Sequence, residues 1–82
     1  MKLPRDLSGR ELAKALGAFG YQITRQTGSH IRLTTTRNDE HHITIPAHDA
    51  LKVGTLSAIL GNVATHLELA RDEAVKTLFA GK

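Results

Sequence analysis

The chain has no cysteine and no tryptophan among its 82 residues, and only two phenylalanines and one tyrosine. The missing thiol excludes disulfides, cysteine nucleophiles and cysteine-based zinc sites together, and it suits a reducing, cytoplasmic setting. Scarce aromatics leave the core to Leu, Ile, Val and Ala, in a chain whose length fits one small domain spanning 1–82. No apolar run approaches the length needed to cross a bilayer, and Met1 to Asp6 lacks the apolar centre of a secretory signal. Acidic residues are absent between Glu11 and Asp39, where Lys14, Arg25, His30, Arg32 and Arg37 all lie. The net charge of +3 is modest. The local basic bias is the footprint expected of a phosphate-binding surface, but charge alone favours the plainer reading of a solvated face.

What the chain does contain orders itself from the N-terminus. Ser8 and Glu11 have the spacing of a capping box, and Leu7 and Leu12 that of a hydrophobic staple. Leu12, Leu16 and Phe19 share a helical stripe, and Gly20 stands where a left-handed C-terminal residue is wanted. The pattern predicts a helix from Gly9 to Phe19. Three strands follow, marked by apolar pairs at period two: Tyr21 and Ile23, Ile31 and Leu33, Ile43 and Ile45.

Keeping these residues on one face predicts the register. A Gln26-Thr27-Gly28 loop sets Ile23 opposite Ile31 and Thr24 opposite His30, with Gly28 supplying a positive-φ turn residue. A loop from Thr36 to Glu40 sets Leu33 opposite Ile43, Arg32 opposite Thr44, Thr34 opposite His42 and His30 opposite Pro46. The polar face then carries Gln22, Thr24, His30, Arg32, Thr34, His42 and Thr44. Pro46 ends the third strand, so the segment from Ala47 to Gly54, with His48, Asp49 and Lys52, emerges near His30. Gly54 and Thr55 open a second helix through Leu56, Ile59, Leu60, Val63 and Leu67, with Gly61 tolerated inside it. Leu69 and Ala70 form a kink. A third helix runs from Arg71 to Ala80, its first turn carrying Asp72 and Glu73, its inner side Val75, Leu78 and Phe79, and its end closed by Gly81. The predicted class is α+β, in the order α-β-β-β-α-α, with helices on one face of a three-stranded antiparallel sheet.

Gly28-Ser29-His30-Ile31-Arg32-Leu33 concentrates the chemistry. Histidine is the residue type suited to donating or accepting a proton at working pH and arginine to binding phosphate, and His30 and Arg32 both stand on the solvent side of the middle strand. Gly28 also leaves room for a nucleic-acid backbone, Ser29 can orient His30 or bond a phosphate, and Lys52 and His48 are further contacts from the neighbouring segment. Arg25 and Arg37 read as ordinary solvated charges. His41 and His42 point to opposite faces and do not share a metal; with no Cys and scattered His, no metal site is expected.

Several stretches are similar to one family. Leu3-Pro4-Arg5 with Ser8-Gly9-Arg10-Glu11 and Leu16, then Gly28-Ser29-His30, then Ile45-Pro46 with His48, and finally Lys52-Val53-Gly54-Thr55-Leu56 with Ile59-Leu60 resemble, in order, the motifs of HicA-type (YcfA-like) toxins. Two stretches differ: Ile31-Arg32-Leu33 follow the signature histidine where many relatives carry an aromatic residue, and Ser57 stands where they often carry a basic one. The resemblance implies a fold like double-stranded-RNA-binding domains, mRNA cleavage with His30 as the catalytic residue and no cofactor, and neutralisation by a HicB-type antitoxin. Two other readings stay open: a non-catalytic double-stranded-RNA-binding module, and a pure protein-interaction partner.

Overall fold

Ser8 caps the first helix as its spacing predicts. Its Oγ accepts from the Glu11 amide, and the Glu11 carboxylate accepts from the Ser8 amide, both at 3.0 Å. In the computed structural model, which describes residues 6–79, helix α1 runs Gly9–Leu16. Its last turn tightens into a 3-10 segment over Gly17–Phe19, closed by Gly20 at φ 84°. Such tightening satisfies carbonyls that an α-helix leaves without partners. Leu7 and Leu12 both enter the core, as the staple requires. The opening Leu3-Pro4-Arg5 stretch lies outside the described residues.

Strands β1 (Gln22–Gln26), β2 (His30–Thr35) and β3 (His41–Pro46) form an antiparallel sheet with β2 central. The β2–β3 register is the one the alternation predicts: His30 pairs with Pro46, Arg32 with Thr44, Leu33 with Ile43 and Thr34 with His42. The five-residue connection turns through Asn38 and Asp39, both at positive φ.

The β1–β2 hairpin departs from expectation. Ile23 pairs with Leu33 and Gln26 with Ile31, and a bulge at Thr24 brings Arg25 opposite Arg32. Thr24 therefore does not face His30. The turn lies at Gly28 and Ser29, with the Thr27 amide donating to the His30 carbonyl at 3.0 Å. A bulge inserts one unpaired residue, which period-two counting cannot see. Gly28 is not at positive φ either; Gly20 is the one glycine in that region among the described residues. Ile23 was expected in the core but is 52% exposed at the sheet edge, while Tyr21, just before β1, is buried.

Helix α2 runs Val53–Leu67, starting one residue before Gly54, and it passes through Gly61 unbroken. Glu68 ends it in the left-handed conformation, and helix α3 follows over Arg71–Phe79. The Ser57 hydroxyl accepts from the Arg71 guanidinium, joining the two helices. The expected positions of Ala80 and Gly81 lie outside the described residues. Leu12, Leu16, Leu56, Leu60 and Val63 pack on Ile31, Leu33 and Ile45, sealing one face of the sheet. At about 25 cal/mol per Å² of apolar surface, this burial is the main force holding the layers together. Thr35 is the buried polar exception: its hydroxyl donates to the Phe19 carbonyl and accepts from the Arg37 amide. The architecture is α+β, and the helices leave the other face of the sheet bare.

Candidate active site

His30 opens β2 and is exposed. Two backbone constraints fix it: the turn bond from Thr27 and the pairing with Pro46. The Ser29 hydroxyl lies 3.1 Å from His30 Nδ1. With the proton on Nδ1 donated to Ser29, Nε2 presents its lone pair outward and can accept a proton; in the other tautomer Nε2 carries one to give. The ring is thus held by one nitrogen and free at the other.

The segment after β3 closes on the same end of the sheet. The Ala47 amide donates to the Ser29 carbonyl at 2.9 Å, the Gly9 amide to His48 at 3.0 Å, and the Leu51 amide to Leu7 at 2.7 Å. Three loose pieces are stitched together by these bonds: the hairpin turn, the start of α1 and residues 47–52. Gly9 is required at the junction, because a Cβ there would lie 2.1 Å from the Pro46 carbonyl oxygen. His48, Asp49 and Lys52 are all exposed on this segment, and Lys52 is the N-cap residue of α2. Around Gly28 a Cβ would meet nothing within 4 Å. Its glycine is needed neither for its φ nor for its protein neighbours, so the room it leaves is open to a ligand.

Arg32 follows His30 by two residues on the open face, and Arg25 stands directly across from it. Both are exposed, and neither guanidinium has a hydrogen bond or ion pair among the described residues. Register counting missed Arg25, because only the bulge brings it to this face. Further along, a hydroxyl–imidazole ladder crosses the sheet. Thr24 and Thr34 hydroxyls lie 2.9 Å apart, Thr34 lies 2.8 Å from His42 Nδ1, and His42 Nε2 lies 2.9 Å from the Glu40 carboxylate.

His41 and His42 do face opposite ways. His41 is half-buried, 2.8 Å from the Tyr21 hydroxyl and stacked on His66 with ring centroids 4.2 Å apart. Burial, followed by the nearby charges of His66 and His42, holds His41 below the ordinary imidazole range, while burial pushes the Tyr21 phenol up. His66 Nε2 donates to the Arg37 and Asp39 carbonyls, and the Asn38 amide donates to the His66 carbonyl. This cluster pins the β2–β3 connection to α2. It pairs at Thr35, five residues from His30 along β2, or roughly 16 Å. No group of three or more His, Asp or Glu is placed to hold a metal ion among the described residues. A cleft of about 390 Å³ opens between α1 and α3, lined by Leu7, Glu11, Lys14, Ala15, Leu78 and Phe79, on the covered side of the sheet.

Residues 9–64 match a family model described as the HicA toxin of bacterial toxin–antitoxin systems, well over half of the chain. The chain belongs to the HicA toxin family. The match runs from the start of α1 into the last turn of α2, and so takes in His30, Arg32, His48 and Lys52 while leaving α3 outside. Searches of curated proteins and of solved structures returned no match. As a HicA family member, the protein is the toxin half of a two-component system, and an antitoxin partner goes with that role. No helix among the described residues is long and apolar enough to cross a membrane.

Proposed function

We propose that this toxin is an mRNA endonuclease, a cytoplasmic single domain over 1–82 that uses His30 to cleave RNA and is neutralised by a HicB-type antitoxin. The observation that carries the reading is the held imidazole: Nδ1 engaged by Ser29, Nε2 free, on a bare face with unpaired guanidiniums beside it. In the proposed step, His30 Nε2 takes the proton from a ribose 2′-hydroxyl. The 2′-oxygen attacks the adjacent phosphorus, the bond to the 5′-oxygen breaks, and that oxygen leaves with a proton. The products are a 2′,3′-cyclic phosphate and a 5′-hydroxyl end. The nucleophile belongs to the substrate, so the step calls for no metal-activated water. General base catalysis of this kind contributes about 10²–10⁴-fold.

A second group must protonate the leaving oxygen or stabilise the charged phosphorane. Arg32, His48 and Lys52 are the candidates. Backbone bonds tie the segment carrying the last two to the Ser29 turn. Gly28 and Ser29 complete the proposed RNA contacts.

The test is induction of the wild type and of His30→Ala in cells, with growth and RNA integrity followed together. The wild type is expected to stop growth while message is cut, and co-expression of the antitoxin to restore it. His30→Ala is expected to be harmless. If both stop growth without RNA loss, the protein is a binding module or a protein-directed toxin, and the nuclease reading fails.

A further inference from the structure

No strand of the sheet carries an acidic residue, yet two arginines face each other across its open side. Residues paired directly across neighbouring antiparallel strands lie about 4.5–5.5 Å apart, and like charges so placed disfavour each other. A sheet avoids this by supplying a carboxylate, or by setting one side chain on the other face. Neither has happened here. The carboxylate nearest in sequence to β3, Glu40, is bonded to His42. The bulge, in turn, is what puts Arg25 opposite Arg32: without the extra residue at Thr24, Arg25 would fall on the opposite face from its present one. Bulges commonly re-aim a side chain next to a working site. The Thr24 hydroxyl is held against Thr34, fixing the bulge in place.

We propose that Arg25 and Arg32 form a two-guanidinium clamp for a backbone phosphate of the RNA strand that is cut at His30, and that the Thr24 bulge exists to aim Arg25 into it. This rests on the ribonuclease reading and adds to it a residue that the sequence assigns to bulk solvent. Arg32 lies two residues from His30 on the same face, about 6.6 Å along the strand. A strand with its reacting phosphate at His30 therefore carries its backbone over the pair. Planar guanidiniums bind phosphate oxygens two at a time, and two of them facing one another enclose the anion from both sides. The anion in turn relieves the repulsion between them. Arg32 then serves a neighbouring phosphate, which leaves His48 and Lys52 for the leaving oxygen.

The experiment measures binding of a short fluorescein-labelled single-stranded RNA by anisotropy across a salt series. It uses the full chain with His30→Ala so that the probe survives, and runs wild-type cleavage of the same RNA in parallel. Adding Arg25→Gln is expected to weaken binding about tenfold at low salt. It should also flatten the slope of log affinity against log salt by about 0.7, the loss of one phosphate contact on a single strand. Arg32→Gln should do the same, and the double variant little more than either, since both serve one anion. Arg25→Lys should keep the slope and lose part of the affinity. Lys76→Gln, which removes the same charge from α3, should change neither. If Arg25→Gln behaves like Lys76→Gln while the wild type still cuts RNA, the clamp is wrong and the nuclease reading stands. An antitoxin affinity that falls with Arg25→Gln while RNA binding does not also overturns it, and assigns the pair to a protein. Absence of wild-type cleavage sinks the nuclease reading instead, and an unchanged slope in that case removes the clamp as well.

Discussion

Replacing Gly9 by alanine drives a methyl group into the backbone of the segment that follows β3. The new Cβ would lie 2.1 Å from the Pro46 carbonyl oxygen, 3.1 Å from its carbonyl carbon and 3.3 Å from Ala47 Cα. Ordinary contact begins near 3.4 Å, so α1 and the segment must part by more than 1 Å. Backbone cannot swing aside as a side chain does, and the amide bonds from Gly9 to His48 and from Leu51 to Leu7 lie across the opening gap. Overpacking of this kind costs about 1–3 kcal/mol, and a weakened buried hydrogen bond adds about 1. Taking 2–3 kcal/mol in total, a domain of this size should lose about 10–20 °C in melting temperature. Thermal unfolding followed by circular dichroism reads the effect directly. Gly17→Ala is the control, since its Cβ meets nothing within 4 Å and its backbone is already right-handed helical; it should be neutral or slightly stabilising. RNA cleavage by any folded Gly9→Ala protein should fall further than its stability explains, because His48 and Lys52 move relative to His30, and displacements of about 1 Å can cost 10²-fold. A Gly9→Ala protein that melts within a degree or two of wild type would refute the packing argument.

Three other outcomes follow from the same geometry. His41 is held below its ordinary value, so the unfolded chain binds the proton more readily than the folded one. Stability should be full above about pH 6.5 and decline as the pH falls from there through the lowered folded value; His41→Gln should flatten melting temperature against pH over that window, and an unchanged profile would contradict the assignment. Thr35→Val keeps the shape of the buried side chain but leaves the Phe19 carbonyl and the Arg37 amide without their shared partner; chemical denaturation should show a loss of about 1–3 kcal/mol. Ser29→Ala frees His30 Nδ1; steady-state cleavage of a short RNA should show kcat lower by about two- to tenfold with KM little changed, whereas a change in KM alone would make Ser29 a substrate contact.

Sequence carried the fold where the signals are local. The Ser8–Glu11 box, the left-handed Gly20 and the β2–β3 register each depend on residues a few positions apart, or on a single clean alternation, and each is found as read. The first hairpin differs from its sequence reading because the turn lies at Gly28 and Ser29 and not over Gln26-Thr27-Gly28, and because a bulge adds one residue that no periodicity records. The different turn changes the partner of Thr24 and the bulge carries Arg25 to the open face, whereas Ile23 keeps a core-side partner in Leu33 and lies exposed because β1 is an edge strand. Glycine favours left-handed backbone, which makes Gly28 read as a positive-φ turn residue, but the two-residue turn it shares with Ser29 does not use that conformation. Gly9 matters through a neighbour 37 positions away, and His41 through a ring on α2. Such requirements exist only after the chain has packed. His30, Ser29 and the 47–52 segment were foreseen together because one strand pairing, His30 with Pro46, fixes their proximity.

Whether His30 moves the proton is tested most directly by the ends of the cut RNA. Purified wild type and His30→Ala are incubated with a defined single-stranded RNA in the presence of a metal chelator, and the fragments are resolved and their termini typed. The wild type should cut at its full rate and leave 2′,3′-cyclic phosphate and 5′-hydroxyl ends. His30→Ala should bind the RNA while cleaving it at least about 10²-fold more slowly. Equal cleavage by the two proteins, or fragments bearing 5′-phosphates, would contradict the account.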